Sequence, residues 1–358
     1  MDKSRFRRVM DALAEMGADQ MLITDPKSIF YLTGYDNFPH ERFMGLLLKR
    51  TGENVFFLNN LFMPPEEEDT ARVWYSDTDP VMDMVAEHID HSSVLGVDKD
   101  IKARFLLPLM EKGAAAGFIN SSLAVDTTRG IKDDDEKAKM RRASQINDAA
   151  MAEFRALVKE GVTEKEIEEQ MLDIYLKLGA EGFSFDPIVS FGANAADPHH
   201  SPDGTVLRKG DVVLFDVGCI ADGYCSDMTR TFVFQEASDL DRKVYEIVKK
   251  ANQSAVEKIK PGVPIHVLDD TARGIITDAG YGEYFTHRLG HFIGLETHEY
   301  GDVSAVNETL LKPGMIFSIE PGIYLPGETG VRIEDLVLVT EDGAEVLNHY
   351  SRELTVIR

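Results

Sequence analysis

The sequence predicts an α/β domain at residues 1–125, followed by a longer α+β domain at residues 136–358. In the first part, short apolar strands alternate with helical patterns, which is typical of α/β domains. In the second part, helical patterns come first and two pairs of apolar strands follow, each pair flanking a turn sequence. Between the two parts, residues 126–135 are rich in Thr, Arg, Gly and acids, so we expect a linker there.

Length, composition and charge fit a two-domain globular protein. The chain has 358 residues, of which 43% are hydrophobic and 28% are charged, as in ordinary globular proteins. Its formal net charge of -24 argues against nucleic acid or an anionic membrane as a partner. No apolar run approaches the roughly 20 residues that span a bilayer. We therefore expect neither partner.

The N-terminus and the cysteines predict a cytoplasmic protein. Asp11 and Glu15 interrupt the apolar positions of residues 1–21, which predicts an amphipathic helix and not a signal peptide. The two cysteines, Cys219 and Cys225, lack the spacing of a zinc site. We interpret them as reduced packing residues in a reducing compartment.

The elements of the first domain follow from short apolar runs and helical periodicity. Strands are predicted at residues 21–24, 44–48, 55–58, 73–75 and 94–97, and helices at 81–89 and 102–112. The acidic run after Pro65 is interpreted as a solvated loop. No catalytic constellation occurs in this domain.

The second domain begins with predicted helices at residues 136–158 and 167–178. Thr163 and Glu166 have the spacing of a capping box at the start of the second of these helices. Two more helices, at 245–258 and 267–279, precede a histidine-rich segment. The candidate site lies on the two predicted strand pairs and on this histidine-rich segment.

The first strand pair predicts a hairpin around Ala221-Asp222-Gly223, with apolar runs 212–215 and 231–234 on either side. If the arms pair symmetrically about this turn, Asp216 and Asp227 lie opposite each other on one face. Opposed carboxylates in apolar strands repel, so a cation or a proton is expected between them. For an isolated pair, side chains that point to solvent would be the simpler interpretation.

This pair is not isolated, because a second hairpin is predicted at residues 317–337. Glu320 and Glu334 are equidistant from Gly327 in its turn, so two more carboxylates share a face. His291 lies between the hairpins among glycines and apolar residues, and histidine is the commonest metal ligand near neutral pH. Four carboxylates and an imidazole suit two divalent cations, manganese or cobalt, with zinc possible.

This constellation resembles, residue by residue, the pita-bread metallopeptidases, which include methionine aminopeptidase, aminopeptidase P and prolidase. The resemblance covers essentially the whole chain. It implies a pita-bread catalytic domain after a creatinase/prolidase-type N-terminal domain, and two divalent ions per subunit, with manganese the expected metal. The metal ligands that it implies, with Asp227 and Glu334 bridging the two ions, are Asp216, Asp227, His291, Glu320 and Glu334.

The resemblance also implies a mechanism. A metal-bridging hydroxide attacks the scissile carbonyl, and Glu320 takes up the proton of that hydroxide. His199 and His298, whose offsets from the ligands match the family, are expected to line the pocket, stabilise the tetrahedral intermediate and contact the substrate. His200 and His287 are interpreted as ordinary core or surface histidines.

Three further residues are candidates for substrate binding. Arg332, two residues before Glu334, either orients the metal ligands or binds a substrate carboxylate. His40 and Arg42 lie in a Pro-His-Glu-Arg segment that resembles bacterial prolidases, in which this loop reaches toward the active site of the partner subunit. The resemblance therefore implies a homodimer, and the alternative interpretation is an exposed loop.

An N-terminal domain on a pita-bread domain resembles the proline-directed branch, which hydrolyses Xaa-Pro bonds. Such a bond is a tertiary amide with a restricted φ, so it suits a dedicated pocket. The run 281–291, the Pro-His-Glu-Arg segment and the short chain look most like bacterial prolidase, an Xaa-Pro dipeptidase. The alternatives are an Xaa-Pro aminopeptidase that acts on longer peptides and a non-catalytic binding protein on the same fold. A non-catalytic binding protein would be expected to lack some of the metal ligands, whereas this sequence has all five.

Two positions depart from the family pattern. Phe292 replaces the glycine that usually follows the ligand histidine, and we expect it to narrow the pocket and favour short substrates. Gly301-Asp302 stands where many relatives have proline and some prolidases have a basic anchor for a carboxylate.

Overall fold

The computed structural model describes residues 1–65 and 70–358. The chain forms two compact units, Met1–Arg129 and Gly130–Arg358. The acidic run at residues 66–69, predicted to be a solvated loop, lies outside the described residues.

The first unit is built on a mixed β-sheet. Its helices are α1 (Lys3–Glu15), α2 (Pro26–Thr33), α3 (Val81–His88), α4 (Ala103–Glu111) and α5 (Ser122–Gly130), which ends at the boundary between the units. Its strands are β1 (Gln20–Ile23), β2 (Gly45–Lys49), β3 (Val55–Asn59), β4 (Ala71–Tyr75), β5 (Val94–Val97) and β6 (Gly117–Asn120). The described strands lie in the order β4-β3-β2-β1-β5-β6, with β1 antiparallel to β2 and parallel to β5.

Local chemistry explains the first helices of this unit. The Asp2 carboxylate accepts hydrogen bonds from the backbone N–H groups of Ser4 and Arg5, at 2.9 and 2.8 Å, and so caps α1. The helix buries Val9 and Leu13, which confirms the predicted amphipathic helix. Helix α2, which was not predicted, has an aspartate cap, a proline in its first turn and a left-handed Gly34 at its end (φ 74°).

The segment that we predicted as a linker, residues 126–135, is largely helical. Helix α5 extends to Gly130 and α6 (Asp134–Ala156) begins four residues later, so only residues 131–133 lie between them. The acidic residues that we assigned to the linker, Asp133 to Glu136, form the start of helix α6. Asp133 and Glu136 form a capping box at 3.0 and 2.9 Å, and acids in a first turn stabilise a helix through its dipole.

The second unit packs helices against several small, mostly antiparallel sheets. After α6 come helices α7 (Glu164–Leu178), α8 (Asp239–Glu257) and α9 (His266–Asp278), with short 3-10 turns at Gly192–Ala196 and Gly282–Tyr284. The strands are β7 (Gly182–Phe183), β8 (Ile188–Phe191), β9 (Val212–Val217), β10 (Cys219–Ala221), β11 (Tyr224–Cys225), β12 (Met228–Phe234), β13 (Gly290–His291), β14 (Asp302–Val303), β15 (Ile316–Ile319), β16 (Gly322–Leu325), β17 (Thr329–Arg332), β18 (Asp335–Val339), β19 (Ala344–Val346) and β20 (Val356–Ile357). The capping box of α7 is confirmed, since the Thr163 hydroxyl and the Glu166 carboxylate each accept the other residue's backbone N–H, at 3.2 and 2.9 Å.

The first hairpin has a different register from the predicted one. Its loop is the pair Asp222-Gly223, with φ of 51° and 76°, which are the positive values that a type I′ turn requires. Strands β9 and β12 therefore pair Asp216 with Thr229, and the predicted direct opposition of Asp216 and Asp227 is wrong. The turn is centred one residue later than we assumed, which moves each partner by two positions. A shift of two keeps the side chains on the same face.

The second hairpin has the predicted register. The pairs Ile319–Asp335 and Gly322–Arg332 lie on either side of Glu320 and Glu334, so these two glutamates occupy matching positions. Both glutamates lie in the interruption between the β15/β18 and β16/β17 pairings. The predicted turn is present as well, with Gly327 at φ 78°.

Buried apolar side chains join the helices to the strands that carry the site. Phe154 of α6 and Met171 of α7 pack with Phe215 of β9, and all three are fully buried. Val248 of α8 packs in another cluster with Ile319 of β15. Within residues 1–65 and 70–358, no helix is long and apolar enough to cross a bilayer.

Candidate metal centre

One cavity of about 880 Å³ in the second unit brings the predicted ligands together. The predicted ligands lie in β9 and β13, directly before β12, directly after β15 and between β17 and β18. The predicted residues that line the cavity are Asp216, Asp227, His291, Glu320, Glu334, His199, His298 and Arg332. A set of residues far apart in sequence thus converges on one space, as the two hairpins predicted.

Three of the four carboxylates lie close to the imidazole of His291. Ligand atoms of Asp227, His291 and Glu334 all lie within 4.8 Å of one another, and all three residues are buried. The Nε2 atom of His291 is 3.6 Å from Oδ2 of Asp227 and 3.6 Å from Oε1 of Glu320. Such spacing lets several residues ligate a shared ion.

Two carboxylate oxygens at the centre have no protein donor. Oδ1 of Asp216 and Oδ1 of Asp227 are buried and accept no hydrogen bond from any described residue. A buried polar atom without a partner costs free energy, more so when it carries charge. Divalent cations at this point would satisfy both oxygens, so the residues present fit a metal centre.

The electrostatics of the cluster point the same way. Burial raises the pKa of Asp227 well above its usual range, and the charges of Glu334, Asp216 and Glu320 add to the rise. Burial also raises the pKa of Glu334 well above its usual range, with the charges of Glu320 and Asp216 adding to it. Burial raises the pKa of Glu320 to about 7. Nearby cations favour the charged forms, so bound metal would reverse these shifts.

His291 is prepared to act as a neutral ligand. Burial lowers the pKa of His291 to about 3, so the ring is uncharged at neutral pH. Its Nδ1 lies 3.3 Å from the Phe292 carbonyl oxygen, and a proton placed on Nδ1 to donate there leaves the Nε2 lone pair facing the carboxylates.

Hydroxyl groups and a guanidinium orient the carboxylates. The Thr229 hydroxyl donates to Oε2 of Glu334 at 2.7 Å, and the Ser318 hydroxyl donates to Oε1 of Glu320 at 3.1 Å. Arg332 is 3% exposed and donates to Asp216 at 2.7 Å, to the Thr229 hydroxyl at 3.0 Å and to the Tyr324 hydroxyl at 2.9 Å. All three nitrogens of its guanidinium are thus engaged in the cavity wall, as in a residue that orients ligands.

Four histidines besides His291 line the cavity: His199, His200, His287 and His298. The rings of His298 and His291 are 4.2 Å apart, and burial lowers the pKa of His298. His199 follows Asp197, whose carboxylate accepts the His199 backbone N–H at 3.0 Å. His287 was interpreted as an ordinary histidine, yet it lines this cavity and its Nε2 is 2.8 Å from the Tyr324 hydroxyl. Burial lowers the pKa of His287 to about 4.

The prediction that Phe292 narrows the pocket is wrong. Its ring is buried and packs against Phe317, with ring centres 5.5 Å apart, and it is not among the described residues that line the cavity. Neighbouring residues in an extended segment point to opposite sides, so His291 faces the cavity and Phe292 faces the core. Gly301 lies against this ring, since a Cβ built on Gly301 would be 2.7 Å from a Phe292 ring carbon. Asp302 accepts a hydrogen bond from the Ser304 hydroxyl at 2.8 Å.

His40 and Arg42 belong to the first unit. The Arg42 guanidinium donates twice to Asp77, at 2.8 and 2.8 Å, and forms a second ion pair with Glu41 at 2.8 Å. His40 has a positive φ of 54°, and the Lys102 ammonium donates to its carbonyl at 2.5 Å. The cavity residues described above all belong to the second unit.

His200 forms a separate acidic cluster with Glu164 and Asp203. His200 Nε2 is 2.7 Å from the Glu164 carboxylate, which also accepts the backbone N–H groups of Phe191 at 2.7 Å and Asp203 at 3.1 Å. Both oxygens of this buried carboxylate are therefore satisfied by the protein. These contacts attach the loop at residues 197–203, which carries His199, to the start of helix α7.

Sequence reasoning missed His287, Arg288, Thr297 and Phe185, which also line the cavity. His287 and Arg288 stand directly before the ligand segment, but only the fold shows which side chains of an irregular stretch face inward. Thr297 had a usable cue, its position next to His298.

Comparison with known proteins agrees with this geometry. Residues 138–341 match metallopeptidase family M24, and residues 5–131 match the creatinase/prolidase N-terminal domain. An uncharacterized peptidase from Staphylococcus aureus is 41% identical over 362 residues, covering 98% of this chain and 100% of the relative. The family resemblance and the fold class predicted from the sequence are thereby confirmed.

Solved structures match along the whole chain. A prolidase from Thermococcus sibiricus has a TM-score of 0.91 and 36% identity, covering 100% of both chains. An Xaa-Pro dipeptidase from Bacillus anthracis has a TM-score of 0.90 and 32% identity, covering 99% of both chains. An X-Pro aminopeptidase from Thermotoga maritima has a TM-score of 0.86 and 29% identity, covering 98% of this chain and 99% of that one. The chain therefore belongs to metallopeptidase family M24, with a creatinase/prolidase N-terminal domain followed by a pita-bread catalytic domain.

Proposed function

We propose that this metallopeptidase hydrolyses the Xaa-Pro bond of dipeptides and uses two divalent ions, with manganese the expected metal. The observation that carries the proposal is the convergence of four carboxylates and a neutral imidazole, with two buried carboxylate oxygens that no described donor satisfies. The prolidase and the Xaa-Pro dipeptidase among the matching structures support the substrate class.

The residues that would hold the ions are Asp216, Asp227, His291, Glu320 and Glu334. Asp227 and Glu334 are the proposed bridging ligands, and their burial at 3% and 2% exposure supports a central position. Oxygen ligands with one imidazole suit manganese or cobalt, and zinc is tolerated. When bound, such ions supply a hydroxide nucleophile at neutral pH and polarise the scissile carbonyl.

The chain's own groups would move the protons. Glu320 lines the cavity beside the other proposed ligands, where its carboxylate could take a proton from the attacking water. It would return that proton to the proline nitrogen, which leaves as a secondary amine. His298 and His199 would contact the substrate and donate hydrogen bonds to the oxygen of the tetrahedral intermediate.

Metal-stripped protein reloaded with manganese tests this proposal on Ala-Pro and Ala-Pro-Ala, with Asp227→Ala as the control. Cleavage confined to the dipeptide is the expected result. Comparable release of alanine from the tripeptide would make the protein an Xaa-Pro aminopeptidase. Protein that binds manganese and turns over neither peptide would contradict both and support a binding protein on the same fold.

The aminopeptidase alternative has two observations in its favour. The cavity volume of about 880 Å³ exceeds what a dipeptide needs. An X-Pro aminopeptidase is also among the matching structures. No observation favours the non-catalytic alternative, since all five ligand positions carry the residues expected of a metallopeptidase.

We also propose a cytoplasmic homodimer in which the His40–Arg42 loop contributes to substrate binding. Both cysteines are buried free thiols, which suits a reducing compartment. Phe38, Leu61 and Met63 of the first unit are 70%, 65% and 89% exposed, and apolar groups in such positions are typical of interfaces. Light scattering on the purified protein tests the dimer.

A further inference from the structure

Three lysine or arginine side chains line the cavity, and they differ in their partners. Lys165 pairs with Glu168 at 2.5 Å along helix α7. Arg332 is buried and engages all three guanidinium nitrogens. Arg288 is exposed to the cavity, and within the described part of the chain its guanidinium has no hydrogen bond or ion pair. It is the cation left available for a ligand.

The backbone on both sides of Arg288 is fixed. An ion pair on helix α9, Asp269 with Arg273 at 2.7 Å, holds it. Asp269 accepts the backbone N–H of Leu289 at 3.1 Å, and Arg273 donates to the His287 carbonyl at 2.9 Å. Leu289 is fully buried, while Arg288 faces the cavity. The cation is therefore presented from a rigid point, which lowers the entropy cost of binding.

The guanidinium lies close enough to act on the metal ligands. After burial, the positive charge of Arg288 is among the causes that lower the pKa of His291 and of His298. The same charge opposes the rise that burial causes in the pKa of Glu320. Arg288 lines the same cavity as these ligands, so a substrate group bound by Arg288 would lie in the cavity that holds the metal centre.

We propose that Arg288 binds the free carboxylate of the substrate's C-terminal proline. This inference rests on the proposed hydrolysis of Xaa-Pro dipeptides. An arginine meets a carboxylate through two parallel hydrogen bonds, which a single point charge does not provide. The other candidates are less suited, because Arg332 is fully engaged and Asp302 is itself acidic.

The assignment makes Arg288 a residue that selects peptide length. In a dipeptide the proline carries a carboxylate, whereas in a longer peptide a neutral amide takes its place. A site that provides a charged, paired hydrogen bond discriminates against a ligand that lacks the matching charge. Dipeptides would therefore be preferred in spite of the large cavity.

A pair of substrates that differ in one charge tests the assignment. The manganese-loaded protein is assayed on Ala-Pro and on alanyl-prolinamide, as wild type, Arg288→Ala and Arg288→Lys. Arg242→Ala, which changes an exposed arginine of helix α8, is the matched control. In Arg288→Ala we expect KM for Ala-Pro to rise about 10- to 100-fold while KM for the amide stays near wild type. Arg288→Lys should recover part of the loss. An unchanged ratio of kcat/KM for the two substrates in Arg288→Ala would overturn the assignment.

A binding measurement separates this assignment from the proposed reaction. Calorimetry gives Kd for L-proline and for L-prolinamide on the same manganese-loaded variants. Weaker binding of proline alone in Arg288→Ala supports the assignment, even for a protein that does not cleave Ala-Pro. Equal proline affinity in wild type and Arg288→Ala contradicts it. Failure of the wild type to cleave Ala-Pro would instead count against the proposed function.

Discussion

The two hairpins each supply two carboxylates to the centre, but they hold them in different ways. In the second hairpin, Glu320 and Glu334 each accept a hydrogen bond from a hydroxyl group. In the first, Asp216 is held on one side by Arg332, and the Oδ1 atoms of Asp216 and Asp227 have no described donor. The glutamates of the second hairpin are thus oriented before metal binds. The aspartates of the first hairpin each keep one buried oxygen that only a bound metal would coordinate.

The largest expected effect is a difference in manganese affinity between two variants, each of which removes the charge of one ligand in one hairpin. Asp227→Asn should lower manganese affinity by more than the roughly 100-fold that loss of an outer partner costs, because nothing orients the new amide. Glu334→Gln should lose less, because its amide oxygen still accepts the Thr229 hydroxyl. Metal titration calorimetry measures both, with exposed Asp239→Asn as the control. Equal losses in the two variants would break the comparison.

A smaller effect is expected from the hydroxyl that orients Glu334. Thr229→Val keeps the shape of the side chain but removes the donor at 2.7 Å and an acceptor for Arg332 at 3.0 Å. Such outer partners are worth about 10- to 100-fold in metal affinity or activity. Thr229→Ser retains the hydroxyl and should stay close to wild type in both. A Thr229→Ser variant as impaired as Thr229→Val would show that packing, not the hydrogen bond, matters.

The smallest effect concerns the pH dependence of the metal-free protein. The pKa of Glu320 is raised from 4.5 to about 7, so the folded state binds the proton more tightly than the unfolded state. Its stabilising contribution is complete below pH 4.5 and is lost as pH rises through about 7. Urea unfolding in chelator should therefore show wild type losing stability relative to Glu320→Gln across this range. A difference that does not change with pH would contradict the shift.

The second hairpin could be predicted in full from the sequence, because its turn is symmetric about a glycine and both glutamates lie seven residues from it. The first was predicted with the correct residues but the wrong pairing. A two-residue turn has its centre between Asp222 and Gly223, and the sequence Ala-Asp-Gly does not tell which pair forms it. The predicted partner of Asp216 was two residues from the observed one, and a shift of two keeps side chains on the same face. Asp216 and Asp227 therefore still share a face, as predicted.

Other features could not be predicted because long-range packing sets them. The inward direction of His287 and Arg288 depends on side-chain hydrogen bonds from α9, which apolar periodicity does not reveal. The outward direction of Phe292 depends on Phe317 of β15. Asp133 and Glu136 have the spacing of a capping box, which could have predicted the helix that starts at Asp134, but we interpreted this acidic segment as part of a linker.

The contact between Phe292 and Gly301 links two departures from the family pattern structurally. The Phe292 ring fills the space where a side chain at position 301 would begin, and Gly301 has a φ of 113° that other residues rarely adopt. Phenylalanine at 292 is therefore compatible with glycine at 301 and incompatible with proline there. A side chain placed at position 301 would therefore require the ring at position 292 to move or to be replaced. The two positions pack as one unit, and neither is among the described residues that line the cavity, so the choice of residue at one limits the choice at the other independently of the metal site.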